Sequence, residues 1–106
     1  MNRPWGQETV LHSGDYLMKR LDVSTGERLS LQLHELKTET LFVHAGRPVI
    51  QVGELVREYG PGSVVHIPAG TVHRIAAPYC DVSIVEASTP HLDDTIRLED
   101  DYGRAQ

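Results

Sequence analysis

Short apolar runs cut by glycine and proline recur along almost the whole chain, and none is long enough for a well-formed helix. The plausible strands are residues 16–23, 28–34, 40–45, 48–52, 54–59, 63–67, 73–76 and 81–86. The breaks between them fall at Ser24-Thr25-Gly26, Ala45-Gly46-Arg47, Gly53, Gly60-Pro61-Gly62, Pro68-Ala69-Gly70 and Ala77-Pro78. A chain of 106 residues carrying this many strands has no room for a covering layer of helices. The strands must pack on one another, as an all-β sandwich or barrel with a shared interior.

Alternation indicates what enters that interior. In residues 28–34, Arg28, Ser30, Gln32 and His34 share one face, and Leu29, Leu31 and Leu33 share the other. The leucines suit a sheet or subunit contact; the polar row suits a cavity wall. The next strand puts Leu41 and Val43 on the face of Glu39 and turns His44 outward.

Residues 1–15 read as an N-terminal arm carrying Trp5, which is more useful packed across a barrel or a partner than exposed. Residues 90–106 read as a C-terminal tail packed on the barrel, with one or two helical turns between Leu92 and Asp100 and fraying from Gly103 onward. The expected organisation is a single domain over 1–106.

Composition narrows the function. Fifteen acidic residues outnumber ten basic ones, and no Lys/Arg stripe exists to neutralise a run of phosphates, so nucleic acid is not an expected partner. Neither a signal segment nor a membrane-length apolar run is present, so a cytoplasmic location without a membrane partner is expected. The single cysteine, Cys80, excludes an internal disulfide or a thiolate cluster and reads as a core thiol.

Chemistry concentrates in four residues. Gln32 and His34, two apart on a strand, project to one side about 7 Å from each other. Glu39 follows a short polar segment, and His73 lies beyond the Pro68-Ala69-Gly70 turn. Two imidazoles, a carboxylate and a carboxamide form a sulfur-free donor set suited to one divalent cation. Zinc is the first expectation; manganese, iron, cobalt and nickel fit the same donors.

The spacing of Gly26, Gln32, His34, Glu39 and Gly46, and that of Gly62, Pro68, Gly70 and His73, resembles the two cupin motifs. Gln32 stands where the general cupin pattern has its first histidine, as in the cupin domain of mannose-6-phosphate isomerases and of bifunctional mannose-1-phosphate guanylyltransferases. Arg3 to Gly6, Lys19-Arg20 and the segment from Ile96 to Arg104 resemble the same branch. The resemblance implies a cupin jelly-roll barrel, metal ligation by Gln32, His34, Glu39 and His73, and aldose–ketose isomerisation of a hexose phosphate. It fills the chain, so the guanylyltransferase domain of the bifunctional relatives is not expected. Glu35-Leu36-Lys37 and Thr40-Leu41 depart from the isomerase-like motif.

Arg28, Lys37 and Arg74 are the basic residues near the motifs that can orient a sugar phosphate or stabilise oxyanion charge. His66 is a candidate pocket wall, outer hydrogen-bond donor or packed histidine, whereas His12 and His91 read as surface residues. The competing readings are a non-catalytic metal and small-ligand binder and a metal-dependent dioxygenase. A homodimer formed through residues 16–23 and the Trp5 arm is expected, because an open barrel needs its edge strands covered.

Overall fold

The computed structural model describes residues 1–91 and 93–105. Eleven strands are present among them: β1 (Asn2–Arg3), β2 (Gly6–Ser13), β3 (Leu17–Val23), β4 (Leu31–Leu33), β5 (Glu39–Ala45), β6 (Val49–Val52), β7 (Leu55–Glu58), β8 (Val64–Ile67), β9 (His73–Ala76), β10 (Val82–Ser88) and β11 (Ile96–Glu99). They form two antiparallel sheets, ordered β1-β2-β3-β10-β5-β8 and β11-β4-β9-β6-β7.

The two sheets close over a shared apolar interior. Leu41 and Val43 of β5, Ile84 of β10, Ile50 of β6, Ile75 of β9 and Ile67 of β8 are all at most 3% exposed. Strict alternation drives this packing: along β5, Glu39, Leu41 and Val43 point inward while Thr40, Phe42 and His44 point outward. Each fully buried aliphatic side chain contributes about 1.5–3 kcal/mol relative to exposure. The same alternation therefore carries Glu39 inside with the leucine and valine.

Glycine is required where strands turn sharply. Gly46, between β5 and β6, has φ +90°, and a Cβ there would lie 2.4 Å from the Asp81 carbonyl oxygen. The turn at Gly70 (φ +80°) donates its N–H to the His34 carbonyl at 2.6 Å, tying the β8–β9 connection to the end of β4.

Both termini differ from the sequence reading. The expected arm is the β1–β2 hairpin, with β2 paired along β3. Its side chains are mostly exposed, so backbone pairing rather than an apolar pattern makes it a strand. Trp5 is 4% exposed and belongs to the hydrophobic core, packed within its own chain. At the other end, the helical turns expected between Leu92 and Asp100 are replaced by β11 at Ile96–Glu99, which pairs with β4; Leu92 lies outside the described residues. Fraying from Gly103 is also corrected for Arg104, whose backbone and guanidinium N–H groups both donate to Asp100. Gln106 lies outside the described residues.

Three further expectations change. Regular strand geometry is confined to Leu31–Leu33, preceded by an isolated bridge between Arg28 and Ala76, so alternation does not extend back to Arg28. β3 has β2 on one edge and β10 on the other, which removes the edge pairing on which the homodimer expectation rested. Cys80 is partly exposed rather than a core thiol.

Candidate metal centre

Residues from both sheets build the site. Gln32 on β4 is the direct cross-strand partner of His73 at the start of β9, and His34 follows β4 immediately. Glu39, at the start of β5, faces them from the larger sheet. One ligand atom each from His34, Glu39 and His73 lies within 4.8 Å of the others, and all three side chains are buried.

The two imidazoles are held in one tautomer. His34 Nδ1 is 2.7 Å from the Asp94 carbonyl oxygen, and His73 Nδ1 is 2.9 Å from that of Thr71. A carbonyl only accepts, so each Nδ1 carries the proton and each Nε2 presents a lone pair. His73 Nε2 then sits 3.1 Å from Glu39 Oε1, and His34 Nε2 sits 3.7 Å from Glu39 Oε2. Neither His73 Nε2 nor Glu39 Oε2 has an aligned hydrogen-bond partner among the described residues, although both are buried. Facing lone pairs without a donor need a positive charge between them. A divalent cation satisfies all three atoms at once, so the residues fit a metal.

Electrostatics agree with that fit. Burial, reinforced by the Lys37 charge, pushes the His34 imidazole below its ordinary range and keeps it in the neutral, metal-binding form. Burial alone would raise the Glu39 carboxyl, but the charge of Lys37 beside it holds it low, as a carboxylate. Gln32 has its Oε1 taken by the Ser30 hydroxyl at 2.6 Å and its Nε2 3.4 Å from His34 Nε2. A half-turn of the amide exchanges these roles and brings the oxygen to the centre.

Lys37 lies at the heart of the site rather than on its rim. Its ammonium is 3.3 Å from Glu39 Oε2 and 3.4 Å from Glu86 Oε2. Burial would lower its pKa, but the two carboxylates raise it above the ordinary lysine range. Glu86, on the inner face of β10, was not singled out in the sequence, and alternation along residues 81–86 was the signal that could have found it. Burial and the neighbouring Glu39 push its carboxyl up, only partly offset by Lys37.

The other two basic candidates are held in ion pairs with the C-terminal segment. Arg28 is half-exposed and makes a two-pronged pair with Asp101, at 2.7 and 2.9 Å, because the backbone before β4 is irregular. The Arg74 guanidinium donates to the Leu29 carbonyl and pairs with Glu99, joining β9 to β11. His66 is exposed on β8 and bonded to the Thr40 hydroxyl, away from the interior. Thr40 faces outward and Leu41 is in the core, so these two departures do not shape the site.

Asp94 is a further contributor that no spacing or motif in the sequence marks. Its carboxylate accepts backbone N–H groups from Glu35, Leu36 and Lys37 at 3.0, 2.6 and 2.8 Å, and its carbonyl orients His34. The loop linking the two sheets is thereby clamped beside the site.

A cavity of about 120 Å³ adjoins the centre, reaching from His34, Gln32, Lys37 and Glu86 to Arg3, Lys19, Arg97 and Arg104. Among the described residues, no helix is long and apolar enough to cross a membrane.

Comparison with known proteins agrees with this architecture. KdgF from Halomonas sp. superposes with a TM-score of 0.80 at 20% identity, covering 87% of this chain and 84% of that one. A cupin-2 domain protein from Rhodospirillum rubrum gives a TM-score of 0.77 at 23% identity, covering 83% and 62%. The fold is a cupin jelly roll. In sequence, the chain is 38% identical to a mannose-1-phosphate guanylyltransferase from Salmonella muenchen, over 95% of this chain and 22% of the relative. It is 34% identical to the alginate biosynthesis protein AlgA of Pseudomonas aeruginosa, over 96% of this chain and 22% of that protein. The chain thus spans about a fifth of the length of these relatives. Residues 1–100 match the family model described as mannose-6-phosphate isomerase C-terminal, and the chain belongs to that family.

Proposed function

We propose that this domain binds one divalent cation, zinc first, through His34, Glu39 and His73 with Gln32 as a fourth donor, and interconverts an aldose and a ketose phosphate. Mannose 6-phosphate and fructose 6-phosphate are the first candidates, from the family match and the relatives' names. The observation that carries the reading is the pair of buried imidazoles locked with their Nε2 lone pairs toward one buried carboxylate. When bound, the cation supplies electrophilic stabilisation of charge on the substrate's carbonyl and neighbouring hydroxyl oxygens.

Isomerisation also needs a group that carries a proton from carbon 2 to carbon 1. Glu86 suits it: a buried carboxylate on the cavity wall whose elevated pKa makes it a better base than an ordinary glutamate. Lys37, held between Glu86 and Glu39, suits stabilisation of developing oxyanion charge. Glu39, as a ligand, is the poorer base. Assembly of two copies belongs to the same proposal; light scattering at several concentrations tests it, and monomer throughout would contradict it.

The decisive experiment follows carbon-2 proton exchange and mannose/fructose 6-phosphate interconversion by NMR, anaerobically, with protein loaded separately with zinc, manganese, iron, cobalt or nickel. Turnover that needs metal and disappears in Glu86→Gln with metal content intact supports the assignment. No exchange in any verified metal-loaded form rejects these substrates and favours a non-catalytic binder; oxygen consumption with product formation would favour a dioxygenase.

A further inference from the structure

The cavity beside the metal centre has two chemically different ends. Toward the centre, Lys37 is matched by Glu39 and Glu86. Beyond them are Arg3, Arg97 and Arg104, with Lys19 standing opposite Glu86 on the neighbouring strand. The acids paired with them are two: Glu8, shared by Arg3 at 3.0 Å and Lys19 at 3.6 Å, and Asp100, taken by Arg104 at 2.8 Å. Over the cavity and the centre together, the five cations Arg3, Lys19, Lys37, Arg97 and Arg104 face the four acids Glu8, Glu39, Glu86 and Asp100, which leaves one positive charge unmatched.

Arg97 is the unmatched member. Among the described residues it has no ion-pair partner, and its Nε is buried without a hydrogen-bond acceptor. Burial and the nearby charges of Arg104 and Arg3 push its pKa below the ordinary arginine range, which Asp100 only partly offsets. The residue is half-buried, and a buried Nε without an acceptor among other cations is unfavourable unless an anion joins it.

Register fixes where that anion would sit. Arg97 on β11 is the direct partner of Gln32 on β4, and Gln32 is the direct partner of His73 on β9. The three therefore form one row across the inner face of the smaller sheet, with Arg97 two strand spacings, about 10 Å, from His73. His34, Gln32 and Arg97 line one cavity, so a six-carbon sugar could lie between them with its carbonyl end at one side and a terminal phosphate at the other.

We propose that Arg97, flanked by Arg3 and Arg104, is the phosphate subsite of this cavity, binding the terminal phosphate of a sugar whose reacting end lies at His34, Glu39 and His73. This role replaces the one expected of Arg28 and Arg74, and it rests on the sugar-phosphate reading above. A phosphate monoester carries about −1.5 to −2 charges at neutral pH, which would complement the unmatched Arg97 and the neighbouring Arg3 and Arg104. The guanidinium fork offers paired N–H donors to its oxygens.

The test measures binding of inorganic phosphate to zinc-loaded protein by phosphorus NMR titration, comparing the parent with Arg97→Gln, Arg97→Lys and Arg28→Gln. The expected result is saturable binding that weakens at least tenfold in Arg97→Gln, partly returns in Arg97→Lys and is unchanged in Arg28→Gln. Fructose 6-phosphate should displace the phosphate, whereas fructose at the same concentration should not. Zinc content and the far-ultraviolet β signal confirm that each variant is folded; if Arg97→Gln is not, Arg3→Gln carries the comparison and should also weaken binding. Absence of binding in the parent, or equal binding in the folded variants, overturns the proposal; equal binding would place phosphate on the metal instead. Because no turnover is needed, phosphate binding that depends on Arg97 without proton exchange would sink the isomerase reading alone. Turnover with phosphate binding indifferent to Arg97 would sink the subsite alone.

Discussion

Replacing Lys37 by methionine tests whether the centre is a balanced charge system. The lysine side chain is 7% exposed, with its ammonium 3.3 Å from Glu39 and 3.4 Å from Glu86. At an effective dielectric constant of about 20, each contact attracts by about 5 kcal/mol before desolvation. Desolvation cancels much of that, and removing one member of a buried ion pair typically costs about 3–5 kcal/mol. Lys37→Met keeps the bulk of the stem and should lower the unfolding free energy of chelator-treated protein by about that amount at pH 7. Against a typical domain stability of about 5–15 kcal/mol, this is a large fraction, measurable by urea unfolding. The loss should shrink as pH falls. The Glu86 carboxyl is already pushed up by burial and by Glu39, and it rises further without the ammonium. A raised folded-state pKa means that the native protein holds the proton more tightly than the unfolded chain, so its penalty appears as pH rises and fades as pH falls. The difference between variant and parent should therefore be smaller at pH 5 than at pH 7, and Lys37→Met with Glu86→Gln should recover part of the loss at pH 7. A loss below about 1 kcal/mol, as for an exposed pair, or one identical at both pH values would refute the argument.

Four other outcomes follow. His34→Ala with His73→Ala should abolish stoichiometric metal binding while leaving the far-ultraviolet β signal; metal analysis after dialysis checks this, and unchanged occupancy would remove the assigned site. Asp94→Ala, which removes only the carboxylate that clamps residues 35–37, should weaken metal binding by about 10-fold or more, because that clamp also holds the backbone carbonyl that orients His34; competition with a chromophoric chelator measures it. In chelator, acid should destabilise the protein in two windows: below the ordinary histidine value of 6.5, where the unfolded chain takes a proton that folded His34 resists, and below the ordinary carboxyl value of 4.5, where the same holds for Glu39. Urea midpoints across pH check the sign, which is a stability rising with pH through both windows. Gly46→Ala should destabilise by more than about 1 kcal/mol, since a Cβ would sit 2.4 Å from the Asp81 carbonyl oxygen at φ +90°.

What could be read from the sequence was what local periodicity and turn chemistry dictate. The inward set Glu39, Leu41 and Val43 follows from alternation alone, and the glycine and proline breaks marked where strands such as β6, β8 and β9 end. Alternation failed where its premise failed: three regular residues in β4 do not fix the direction of Arg28, four positions before Gln32. Strands β1, β2 and β11 were missed for a different reason. They lie toward the sheet margins, carry few inward apolar side chains, and owe their geometry to a partner strand's backbone, which leaves no periodic trace. The same limit hid the cavity's charge. Arg3, Arg97 and Arg104 come from the two chain ends, and each taken singly reads as a solvated surface residue. Only the pairing of β11 with β4 sets Arg97 beside Gln32, and only the count of acids around it shows that one guanidinium lacks a partner. Metal ligands can be read from a motif because turn geometry fixes their spacing; a binding surface assembled by long-range strand pairing has no such signature, and the phosphate titration of Arg97→Gln is the measurement that addresses it.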